Sequence, residues 1–125
     1  MELKKIIILT YFFPPANVAG SYRVYSWAKH LHKFGYYPIV ITRRWDKEIS
    51  THADLTQASG NEIIHERHDS YEVYYLPYKP NLRDRIYNKY GDGKYIMFRK
   101  TLSLIEMLFQ NITNKVIPIQ NIYKF

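Results

Sequence analysis

Two short β-branched runs, KKIIILT at Lys4–Thr10 and YPIVIT at residues 37–42, bracket one amphipathic segment. The first run is apolar at successive positions and so offers apolar side chains to both faces, the pattern of a buried parallel strand. Between the runs, Val24, Trp27, Ala28, Leu31 and Phe34 recur at steps of three and four, one stripe of a helix opened by Gly20 and Ser21. Gly35 falls just past the last apolar position, where a left-handed C′ residue is expected. Strand, loop, helix, glycine and strand in this order make a βαβ unit. Its crossover is expected to be right-handed and its strands parallel.

The later elements are shorter. The polar stretch after Arg43 allows a short helix within residues 49–58. Residues 61–67 and 72–77 read as two strands joined by a turn at His68, Asp69 and Ser70. A helix is expected over Leu82–Tyr90, ended by Gly91-Asp92-Gly93, and a second over residues 95–113. The stripes Val24/Trp27/Leu31/Phe34 and Leu102/Ile105/Phe109 are expected to be core. The tail, residues 115–125, carries Val116, Ile117, Ile119, Ile122 and Phe125 around Pro118. No repeat, low-complexity tract or linker divides the chain.

Composition removes several classes. The 125 residues include no Cys, so a disulfide framework, a thiolate metal site and a Cys nucleophile are all excluded. Only Ile6, Ile7, Ile8 and Leu9 follow the N-terminal lysines as an apolar run, too short for a signal-peptide core. No run of about 18 apolar residues is present to span a membrane. The net charge of +7 suits anionic partners without choosing among them. Neither His30/His32 nor His65/His68 has the spacing of a metal pair, and no metal is expected. His65 and Glu66 are adjacent on a strand and so point to opposite faces, which disfavours them as an acid/base pair.

The loop after the first strand is the first place to seek a ligand, because open α/β sheets bind beyond the carboxyl ends of their strands. With one glycine it is neither a dinucleotide fingerprint nor a P-loop. It does lead into a helix N-terminus at Gly20, whose free N–H groups suit a phosphate, with Arg23 one turn further. A tight turn at Gly20 and a solvated Arg23 fit the same residues.

Residues 4–42, KKIIILTYFFPPANVAGSYRVYSWAKHLHKFGYYPIVIT, resemble the start of a retaining glycosyltransferase of the two-domain GT-B type, in the family that opens with a glycosyltransferase subfamily 4-like N-terminal domain. The likeness is carried by Phe13, Pro14, Pro15, Gly20, Arg23, Leu31, Gly35 and Thr42 and covers about the first third of the chain. It implies an α/β, Rossmann-like partial domain over residues 1–125, with an incomplete sheet and a truncated end. It also implies sugar transfer from a nucleotide sugar to a glycan acceptor, lipid-linked in some members, in cell-envelope polysaccharide synthesis. In such enzymes the N-terminal domain binds the acceptor, and a C-terminal domain holds the nucleotide through paired glutamates. Carried onto this chain, Pro14, Pro15, Gly20 and Arg23 would face substrate, with Trp45 as an acceptor-stacking or packing residue. Gly20 would lie nearest the donor phosphates. Ala19 stands where the family often has a first glycine, and its methyl group limits backbone approach there. No catalytic residue and no cofactor is expected, and the chain alone is expected to be inactive.

The basic residues are unevenly placed. Between Lys79 and Lys100, seven Lys or Arg stand against two Asp, a local +5, interleaved with Tyr87, Tyr90, Tyr95 and Phe98. That pattern suits an anionic membrane surface, or single-stranded nucleic acid, or a solvated helix face. The resemblance favours the membrane, and a cytoplasmic or inner-face peripheral location, over nucleic acid. A stand-alone basic α/β module binding anionic lipid or nucleic acid is the rival reading. Apolar content without a partner also allows a homodimer.

Overall fold

The computed structural model describes residues 3–113. Their order is β1 (Lys4–Thr10), α1 (Ala19–His30), a 3-10 turn (Leu31–Phe34), β2 (Tyr36–Arg43), a second 3-10 turn (His52–Thr56), β3 (Ile64–Arg67), β4 (Glu72–Leu76), α2 (Leu82–Tyr90) and α3 (Ile96–Thr113). The fold is mixed α/β with one open four-stranded sheet in the order β1-β2-β4-β3. β1, β2 and β4 run parallel, and β3 pairs antiparallel on β4. The described residues divide into two compact units, 3–49 with 59–77 and 50–58 with 78–113. A chain that leaves one unit and returns to it needs no linker composition, so this division is not written in the sequence.

The first unit is the sheet with α1. Strand register and two-residue alternation place Ile8, Val40, Val73 and Tyr75 on one side of the sheet. Val24, Tyr25 and Ala28 of α1 pack on that side, and Phe13, Ala28, Val40, Tyr71 and Val73 form the buried core. Pro38 lies within β2, but pairing with β4 begins only at Ile39, so the missing N–H costs that ladder nothing. Gly35 has φ +85° and its N–H donates to the His32 carbonyl at 3.1 Å, the left-handed stop expected of it. The β3–β4 turn closes where the His68 N–H donates to the Tyr71 carbonyl at 2.8 Å.

Two expectations for this unit are corrected. The α1 stripe is rotated: its inward residues are Ser21, Val24, Tyr25 and Ala28, whereas Trp27 is 52% and Phe34 74% exposed. The helix tightens to a 3-10 turn after His30, and the change from 3.6 to 3.0 residues per turn swings Phe34 out of line. β1 is also not covered on both faces. Ile7 and Leu9, on the side away from α1, are 64% and 63% exposed. β1 is an edge strand, whereas its sequence has the pattern of a covered one.

The second unit is built on polar contacts. Asn81 caps α2, its Oδ1 accepting from the Asp84 N–H at 2.8 Å. Its Nδ2 donates to both carboxylate oxygens of Glu106 on α3, at 2.7 and 2.8 Å. Arg83 Nη1 donates to Ser103 Oγ at 3.3 Å. The short 3-10 turn joins the same unit: Thr56 Oγ1 donates to Asn88 Oδ1 at 2.6 Å, and Asn88 Nδ2 donates to the Thr56 carbonyl at 2.9 Å. The more enclosed positions of α3 are Arg99, Leu102, Ser103, Glu106 and Gln110, a mostly polar stripe. The expected core stripe of α3 is therefore corrected, since Ile105 and Phe109 are exposed and Leu102 is only half-buried. The tail at residues 115–125 lies outside the described residues.

Candidate functional site

The carboxyl ends of β1 and β2 meet in an aromatic cluster. Phe12 stacks on Trp45 with ring centroids 5.4 Å apart and 18° between planes, and Tyr11 packs edge-on to both. The Trp45 indole N–H donates to the Tyr11 carbonyl at 3.0 Å, so both the ring and its polar atom are satisfied inside the fold. Arg43, the last residue of β2, is buried with its Cζ 3.8 Å from the Trp45 ring centroid, and it donates to the Tyr11 hydroxyl at 2.5 Å. Cation–π contact and a hydrogen bond thus hold a guanidinium at the strand ends.

Beyond that cluster the loop turns at the cis Pro14–Pro15 bond and enters α1. The N-cap Val18 makes no side-chain cap, and the first turn contains no acidic residue. Gly20 and Arg23 are both exposed there. A Cβ at Gly20 would meet nothing within 4 Å, so the fold itself does not require glycine at this position.

A cavity of about 400 Å³ opens on the α1 side of the sheet. Pro14 and Pro15 line one wall; Tyr22 and Tyr25 of α1, Tyr71 just before β4 and Tyr75 on β4 line others. Glu48, Glu66 and His68 add charged and polar atoms. The volume lies in the range of small-molecule sites. Phe13, Tyr25, Tyr71 and Tyr75 meet at centroid distances from 5.8 to 6.4 Å with steeply inclined planes, which boxes the cavity with rings. Burial, reinforced by the neighbouring Tyr25 and Glu66, pushes the Tyr71 phenol up to about 12. The same causes, burial first, raise Tyr75 further. Both phenols are therefore neutral hydrogen-bonding groups at ordinary pH.

The five residues expected at the site are thus distributed over three places. Pro14 and Pro15 reach the cavity, Gly20 and Arg23 stand on the exposed first turn of α1, and Trp45 is buried at the strand ends. His65 and Glu66 do take opposite faces: His65 stacks on Tyr74 and lies 3.1 Å from Glu72, while Glu66 reaches the cavity. Sequence reasoning missed the tyrosines and Arg43. The one available signal was the number of tyrosines, 13 in 125 residues, far more than a core of this size needs.

Among the described residues no His, Cys, Asp and Glu gather as a metal site, and no helix is long and apolar enough to cross a membrane. No protein-family model, curated protein or solved structure matches the chain.

Proposed function

We propose that this chain, residues 1–125, is the acceptor-side, Rossmann-like part of a retaining GT-B glycosyltransferase, with a right-handed β1–α1–β2 crossover. The observation that carries this reading is the β1 loop. It leaves the first of two parallel strands through a Phe-Pro-Pro turn and leads into a helix whose first turn has exposed Gly20, exposed Arg23 and no acidic residue. The Ser21 N–H donates to the Val18 carbonyl at 3.0 Å, so the positive end of the helix dipole and the N–H groups before Ser21 are what favour a phosphate there. Open space at Gly20 supports the same reading, since a glycine not needed for packing leaves room for a ligand's close approach. In this reading Pro14 and Pro15 border the acceptor, Trp45 holds the loop in place, and Gly20 with Arg23 meets the donor diphosphate. The glutamates that bind the donor nucleotide would come from a further domain, so this chain alone does not turn over a nucleotide sugar.

Titration with UDP-glucose, followed by emission from Trp27 and Trp45, tests this. A saturable response that Arg23→Ala weakens is expected. A response to oligonucleotide alone, or turnover by the isolated chain, would contradict it.

A second reading rests on α3. Met97, Phe98, Ile105 and Ile112 are exposed on a helix that borders the basic stretch from Lys79 to Lys100. Exposed apolar side chains beside Lys and Arg suit peripheral contact with an anionic bilayer. Flotation with phosphatidylserine vesicles that is lost at high salt is the expected result. Equal flotation with neutral vesicles would remove the electrostatic part of this reading.

A further inference from the structure

We propose that the tyrosine-lined cavity on the α1 side of the sheet is a binding site for an organic ammonium group. The chain carries a net charge of +7, yet the charged side chains that line this cavity include two carboxylates, Glu48 and Glu66, and no Lys or Arg. Around them stand Tyr22, Tyr25, Tyr71 and Tyr75, and the rings of Tyr25 and Tyr71 lie at 89° to each other, so that faces and edges both border the cavity. A cation over such faces is attracted by the ring quadrupole, and the attraction grows as water is excluded. Tyr25 already shows this attraction, with the Lys29 ammonium 5.3 Å from its ring centroid. Tyr71 is buried and Tyr75 half-buried, so the inner rings are partly desolvated before any ligand arrives.

The carboxylates supply the countercharge. Glu66 sits on β3 opposite Val73, which sends its side chain to the α1 side, 3.6 Å from His68 Nε2. Glu48 approaches from the segment after β2. Neither is held by a lysine or arginine in the cavity wall. An incoming ammonium would complete the pairing. This site is independent of nucleotide-sugar binding. Only the further statement that the acceptor itself carries an ammonium group rests on the transferase reading.

The test uses choline and its neutral isostere 3,3-dimethylbutan-1-ol, titrated at pH 8 and followed by the NMR signals of the tyrosine rings. Choline is expected to shift the rings of Tyr25, Tyr71 and Tyr75 with saturation and to bind about tenfold tighter than the neutral isostere. Glu66→Gln and Glu48→Gln should each weaken choline several-fold while leaving the isostere unchanged. Equal binding of choline and the isostere would overturn the proposal, leaving an apolar hollow. So would choline shifts spread over the whole surface. Tyr22→Leu, at an exposed ring, keeps the test open if inner variants fail to fold. Unchanged choline affinity in Tyr22→Leu together with both Gln variants would also overturn it. UDP-glucose binding at the first turn of α1 is read separately, so either result can fail without the other.

Discussion

The sheet unit closes on a cluster of buried apolar side chains, whereas the contact between the two helices of the helical unit is largely polar. In the first, Phe13, Val40 and Val73 close an apolar core between α1 and the sheet. In the second, α2 and α3 meet through Asn81, Arg83, Ser103 and Glu106, while Met97, Ile105 and Ile112 are exposed. A polar seam gains little net free energy, because each hydrogen bond replaces one to water. The stability of the described chain is therefore expected to reside in residues 3–49 and 59–77, and the helical unit is expected to be the softer one.

The largest effect should come from the apolar core. Phe13→Ala removes a ring that is 1% exposed and should cost about 3–5 kcal/mol in urea unfolding. Ile112→Ala, at a position 82% exposed, should change stability by less than about 0.5 kcal/mol. Comparable costs for the two would break the contrast between the units. Next comes the cap of α2. Asn81→Ala should cost the helical unit about 1 kcal/mol, read as faster amide exchange in α2 and α3 with the sheet amides unchanged.

Acid gives a smaller effect confined to the first unit. Burial pushes the Asp46 carboxyl up, but the Gly60 N–H and the Arg44 guanidinium outweigh it and hold the carboxyl below its ordinary value. The Arg44 Nε to Asp46 Oδ1 distance is 2.6 Å, and the Gly60 N–H lies 2.9 Å from Oδ2. A depressed carboxylate pKa contributes stability that is fully present above the unfolded value of about 3.9 and is lost as pH falls through the folded value. The Asp46 side chain is 46% exposed, so solvent screens the pair and the contribution should not exceed about 1 kcal/mol. Asp46→Asn should remove that part of the acid dependence, which urea unfolding at pH 7 and pH 3 can measure. The effect at Gly20 has the opposite sign. Gly20→Ala meets open space near a helix start and should leave stability unchanged or raise it by up to about 1 kcal/mol.

Much of the fold was legible because local signals agreed with one another. Leu82–Tyr90 is readable from the polar Asn81 before it and Gly91 after it, and both strands of the βαβ unit from their β-branched runs. Burial was less legible. The pattern of β1 cannot reveal that it lies at a sheet edge, because edge position is set by strand order. The apolar stripe of α3 suggests a core, yet its polar stripe finds partners on α2, a choice made by Asn81 and Glu106 standing 25 residues apart. The cavity was illegible for a related reason. Its tyrosines are spread from Tyr22 to Tyr75 without a period, and only the β3–β4 hairpin and the turn before α1 bring them together.

The most direct test of the transferase reading is an amide NMR titration of the chain with UDP-glucose. We predict saturable shifts centred on Ala19, Gly20, Ser21 and Arg23, weakened by Arg23→Ala and by the methyl group of Gly20→Ala while the fold stays intact. Amides of α1 that do not move, with shifts gathered instead between Lys79 and Lys100, would contradict it.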